Sequence, residues 1–118
     1  VALERRVFPR TAGAPANIWP CAFWPHRPIE APVRVSGTGP RNVLIMQNLR
    51  DPATPWTGAA SLRKALGSVA TLVSVDQGGH GVYMLTASDC ANAAGTAFLV
   101  HGRLPAEPKV CAGQPLPA

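Results

Sequence analysis

Two side chains of this chain stand where acid–base chemistry is commonly assembled. Asp51 follows an apolar run of strand length at 42–47, Asn-Val-Leu-Ile-Met-Gln. His80 follows a second run at 70–75, Ala-Thr-Leu-Val-Ser-Val, and sits inside a Gly-Gly-His-Gly turn. In open sheets of parallel strands, ligands and reactive groups collect just beyond the carboxyl ends of the strands. Loops that leave two neighbouring parallel strands emerge on one edge, so the carboxylate and the imidazole can meet. A carboxylate that holds imidazole through Nδ1 leaves Nε2 free as a general base. Chain order agrees: where a serine nucleophile sits on a strand-to-helix elbow, it comes first, the acid second and the histidine last.

The nucleophile is missing from this set. None of Ser36, Ser61, Ser68, Ser74 and Ser88 lies in a G-x-S-x-G elbow; Ser36 comes nearest, with Arg34 in place of the first glycine. The candidates also have plainer uses. An Asp before Pro52 serves as an Asx-turn or capping residue, and a lone histidine in a glycine turn is commonly just exposed. His26 lies in a proline-rich stretch and His101 near a helix end, where a cation is favourable. Both read as structural, as do Asp76 at a strand end and Asp89 in the first turn of a helix. Cys21, Cys90 and Cys111 are an odd number without a C-x-x-C pair, which argues against zinc, whose structural sites bring ligands in close pairs. They are either three buried thiols or, in a secreted protein, one bridge and one cysteine left over.

The elements that would position Asp51 and His80 begin near residue 41. Seven of the 13 prolines fall within residues 1–40, together with Trp19, Phe23 and Trp24. Proline fixes φ and removes a donor, so beyond short helical turns at 2–7 and 16–22 this segment is irregular. Its aromatic residues need a surface to pack on, which makes it an arm lying on another part of the protein. After the run at 42–47 comes a loop at 48–53. Thr54 is placed to cap a helix whose first residue is Pro55. Ala59, Leu62, Ala65 and Leu66 recur at helical spacing, and Gly67 ends the helix. The β-branched run at 70–75 is a second strand. A second helix runs from Ser88 or Asp89 to His101 and is closed by Gly102; residues 104–118 form a proline-punctuated tail. Strand, helix, strand, helix is an α/β layout with parallel strands. Both strands read as buried on both faces. Two strands cannot close such a sheet, so the domain is expected to be incomplete.

Composition narrows the function classes. With 47% hydrophobic and 14% charged residues the chain has material for one core and is not disordered. At 118 residues it is one domain or part of one, which excludes a multidomain enzyme. The net charge of +5 is scattered, with Arg5-Arg6 and Arg63-Lys64 the only adjacent basic pairs and no interleaved aromatics, so no nucleic-acid partner is expected. No apolar run reaches the roughly 18 residues of a membrane span. No charged segment followed by an apolar one opens the sequence, and the chain is expected to start after any targeting segment or inside a longer precursor.

A wider set of residues carries a resemblance. Asp51-Pro52-Ala53-Thr54-Pro55, then Gly58-Ala59 and 62–66, Gly79-His80-Gly81, Cys90, Gly102-Arg103-Leu104-Pro105 and Cys111 together resemble the carboxy-terminal region of the tripeptidyl aminopeptidase-like α/β-hydrolases. These are secreted serine exopeptidases and related hydrolases of actinobacteria. The likeness covers roughly residues 40–111, with Cys21 and Trp24-Pro25 fitting the segment that leads into it. It implies an α/β fold of which this chain is the carboxy-terminal strand-helix-strand-helix portion, with residues 1–40 as an arm and 41–118 in the hydrolase domain. Asp51 matches the triad acid and His80 the triad base. Cys90 and Cys111 match a disulfide pair, and Cys21 would then pair with a cysteine upstream of Val1. The serine and the oxyanion-hole donors would lie on an amino-terminal segment of the same precursor. The implied substrate is a peptide cut from its amino terminus in short units, with no cofactor or metal, in an extracellular setting. One departure is Asn48, where the family commonly has glycine three residues before the acid; it bears on the loop leading to Asp51. The competing reading is a non-catalytic α/β module that binds a partner chain through its open sheet edge. In that case Asp51 and His80 would be replaceable.

Overall fold

The computed structural model describes residues 6–7 and 23–114, which fall in two compact units, Val1–Val33 and Arg34–Ala118. Of the helical turn expected at 2–7, Arg6 and Val7 are described and are helical. The turn expected at 16–22, and Cys21 with it, lie outside the described residues. In the first unit the described stretch has almost no regular structure, and Phe23, Trp24 and Ile29 are exposed.

The second unit is a parallel sheet with a helix after each of its first two strands. β1 spans Val43–Arg50, α1 Trp56–Leu66, β2 Ala70–Gly78, α2 Asp89–His101 and β3 Lys109–Ala112. The strand order is β1-β2-β3, all parallel, with Met46 opposite Val73 and Val75 opposite Cys111. β2 is central and buried from Ala70 to Val75. β1, expected to be buried on both faces, is only partly buried over most of its length, because among the described residues only one of its edges is paired.

The two faces of the sheet are covered by different helices. Val73, Val75 and Cys111 pack with Val82 and with Ala91 and Ala94 of α2, and Leu44 and Met46 extend this cluster onto β1. Each fully buried valine contributes about 1.5–3 kcal/mol by leaving water. Small residues on α2 permit close approach. Gly95 is the extreme case, since a Cβ there would collide with the Tyr83 ring. On the other face, the Trp56 indole N–H at the start of α1 donates to the Ser74 hydroxyl at 2.9 Å.

Helix ends match the expected punctuation except at the start of α1. Gly67 and Gly102, both at positive φ, cap α1 and α2. At the start of α1 the extended Pro55 is the capping residue, one position later than expected, because Thr54 is engaged elsewhere. Ser88 caps α2 without a side-chain bond to the helix; its hydroxyl donates instead to the Ala112 carbonyl of β3 at 2.6 Å. β3 itself was expected to be irregular tail. Only Cys111 of its four residues is buried, so its sequence has no apolar pattern, and pairing to β2 makes it a strand. The disulfide Cys90–Cys111 joins the first turn of α2 to β3. No helix among the described residues is long and apolar enough to cross a membrane.

Candidate active site

β1 and β2 end side by side, and their last rungs are out of step. Asn48 pairs with Val75 while Arg50 pairs with Gly78, so β2 carries one extra residue. Such a bulge bends a strand end and re-aims the residues beyond it. Here those residues are the turn Gly79-His80-Gly81, whose glycines have φ of 95° and 88°, values that side chains disfavour. The turn brings His80 back over the end of β1. There the carboxylate of Asp51 meets it, with Nδ1 at 3.0 Å from Oδ2 and 3.2 Å from Oδ1.

Asp51 is fixed from every side. Its Oδ1 accepts the backbone N–H of Ala53 at 2.8 Å and of Thr54 at 2.9 Å; its Oδ2 accepts the Thr54 hydroxyl at 3.0 Å and the Gln47 amide at 3.1 Å. The carboxyl is held well below the ordinary carboxylate range, first by the Thr54 N–H, against the opposing effect of burial, and further by the Ala53 N–H, His80 and the Thr54 hydroxyl. An ionised carboxylate only accepts hydrogen bonds, so Nδ1 of His80 is the donor, and in the neutral ring Nε2 is the bare nitrogen. The Asp51 side chain is 2% exposed and that of His80 is 63% exposed. With Nδ1 donating to a buried anion, Nε2 is the nitrogen left for proton transfer in the neutral ring. That is the arrangement of a general base oriented by an acid.

The Asx-turn and the carboxylate–histidine contact, posed as alternatives from the sequence, are both made by Asp51. Thr54 was read as a helix cap; its N–H and hydroxyl instead bind Asp51 and its carbonyl accepts from Gln47 at 3.0 Å. Gln47 had no expected role, and an amide four residues before an acid is too weak a pattern to have found it. Asn48, expected in a loop, is the one fully buried residue of β1, and its amide donates to the carbonyls of Gly79 at 2.9 Å and Gly81 at 2.8 Å. Nearby, Arg50 and Asp76 form an exposed ion pair across the two strand ends. His101 is exposed in the last turn of α2. Among the described residues no group of three or more His, Cys, Asp or Glu could hold a metal ion.

Parallel strands with helices on both faces, and an acid and a histidine meeting beyond adjacent strand ends, define a portion of an α/β-hydrolase. A family model described as TAP-like protein matches residues 8–111. The chain belongs to this family and corresponds to its carboxy-terminal region. It is 37% identical over 106 residues to the tripeptidyl aminopeptidase of Streptomyces lividans, covering 86% of this chain and 19% of that protein. It is 31% identical over 96 residues to the serine protease Hip1 of Mycobacterium tuberculosis, covering 81% of this chain and 18% of that protein. It is 28% identical over 102 residues to carboxylesterase B of the same species, covering 86% of this chain and 19% of that protein. The chain thus spans about a fifth of the length of the curated relatives it matches.

Proposed function

We propose that Asp51 and His80 are the acid and base of a Ser-His-Asp triad in a secreted serine exopeptidase. The serine comes from an amino-terminal segment of the protein, outside these 118 residues. The serine attacks the peptide carbonyl, and Nε2 of His80 takes its proton and later gives it to the leaving amine. Asp51 holds the ring and stabilises the imidazolium. The observation that carries this reading is the bond from Nδ1 of His80 to a buried, fully coordinated carboxylate, with Nε2 left open. The Cys90–Cys111 bridge supports an oxidising compartment, and Cys21 is then free to pair with a cysteine outside this chain. The exposed Phe23 and Trp24 suit an arm that packs on that same remainder. The names of the relatives favour a peptide with a free amino terminus over an ester, although one relative is an esterase.

The test is made in the intact protein on fluorogenic tripeptides with free and with acetylated amino termini. His80→Ala abolishes turnover, and Asp51→Asn lowers kcat by about 10⁴-fold with KM little changed, because the wrong tautomer is then favoured. Acetylated substrate is not cut. Parental turnover in His80→Ala would remove the triad, and no turnover by the parent protein itself would leave the interaction module as the better account.

A further inference from the structure

The turn that carries His80 has little of its own to hold it. Two glycines at positive φ flank the histidine, the ring is mostly exposed, and the strand ladder stops at Gly78. The side chain that hydrogen-bonds the backbone of the turn is Asn48. It is 0% exposed on β1, and its single NH₂ group donates to the carbonyls on both sides of His80, those of Gly79 and Gly81. The orientation of the amide is fixed by chemistry, since the reverse would bring three oxygens together. Among the described residues its buried Oδ1 has no partner, an unfavourable arrangement that the two donated bonds hold in place.

We infer that Asn48 is a positioning residue for His80: it pins the glycine turn so that Nδ1 stays on Asp51 while Nε2 faces the reacting serine. The inference rests on the reading of His80 as the base. Asp51 fixes the ring through one nitrogen and leaves the backbone beneath it free to shift; the Asn48 amide fixes that backbone at two points. A displacement of the base by about 1 Å costs on the order of 10²-fold in rate, without disturbing substrate binding.

The experiment compares Asn48→Ala, the isosteric Asn48→Asp and His80→Ala in the intact enzyme, as kcat and KM per folded molecule, with thermal melts alongside. Asn48→Ala lowers kcat by about 10–100-fold and changes KM by less than about 2-fold. Asn48→Asp keeps the shape but offers one donor when its acid is protonated and none when ionised. Its kcat relative to the parent therefore falls as pH rises, a trend Asn48→Ala lacks. If Asn48→Ala does not fold, that pH trend alone decides. Parental kcat in the folded Asn48 variants, with His80→Ala inactive, overturns the positioning role and leaves the triad standing. Parental kcat in His80→Ala overturns the triad, and the positioning role with it.

Discussion

A carboxylate that is to stay charged while nearly buried needs donors, and Asp51 takes them from the four residues on either side of it. Thr54 and Ala53 supply backbone N–H groups, Thr54 a hydroxyl, and Gln47 an amide, before His80 adds its ring N–H. These bonds favour the anion and hold the folded-state pKa below the ordinary value of 3.8. A depressed pKa contributes stability that is fully present above the unfolded-state value and is lost as pH falls through the folded one. Asp51→Asn removes the charge at every pH. The gap in urea midpoint between parent and Asp51→Asn therefore narrows progressively as pH falls from about 5 to below about 4. Urea titrations of the chain across that range measure it; a gap that widened on acidification would contradict the assignment. Since Asp51 stays ionised above pH 5, any loss of activity between pH 7 and 5 arises from another group.

At the scale of elements, legibility in the sequence tracked locality. β1, α1, β2 and α2 were readable because each carries its own pattern: two apolar runs, a helical repeat, and stops at Gly67 and Gly102. β3 was not, because its strand character comes from hydrogen bonds to β2, and its one inward residue is Cys111. The meeting of Asp51 and His80 was readable from strand order alone. Asn48 was visible only as a departure from the family, since its partners lie 31 and 33 residues further along the chain. The Cys90–Cys111 bridge acts at this same scale. It ties α2 to a four-residue strand whose other links are a short ladder and the Ser88 hydroxyl bond. Closing a loop of 21 residues restricts the unfolded chain by about 3 kcal/mol in the entropic account. The double variant Cys90→Ser/Cys111→Ser should lose about 2–4 kcal/mol in chemical denaturation. Amide exchange should rise first at Lys109–Ala112, the strand furthest from Asp51 in sheet order. Equal loosening at β1 would mean that the bridge holds the whole sheet.

For the molecule as a whole, the proposed function puts the acid and base on this chain and the nucleophile elsewhere. All five serines lie within the described residues, and none hydrogen-bonds His80. Ser74 is buried under the Trp56 indole, Ser88 is committed to the Ala112 carbonyl and Ser36 is bonded to Thr38. Ser61 lies midway along α1, and Ser68 lies in the 3₁₀ turn just before the amino-terminal end of β2, away from the strand ends that carry the site. Two further features look outward. One edge of β1 is unpaired among the described residues, and the His80 side chain is mostly exposed. On the proposed function, a sheet continued across that edge would carry the segment that supplies the serine. The prediction is positional. A fluorophosphonate probe applied to the intact protein labels one serine, and peptide mapping finds it outside these 118 residues, with labelling abolished in His80→Ala. A label on Ser36, Ser61, Ser68, Ser74 or Ser88 would mean that the nucleophile is within the chain and that the division of the triad between two segments is wrong.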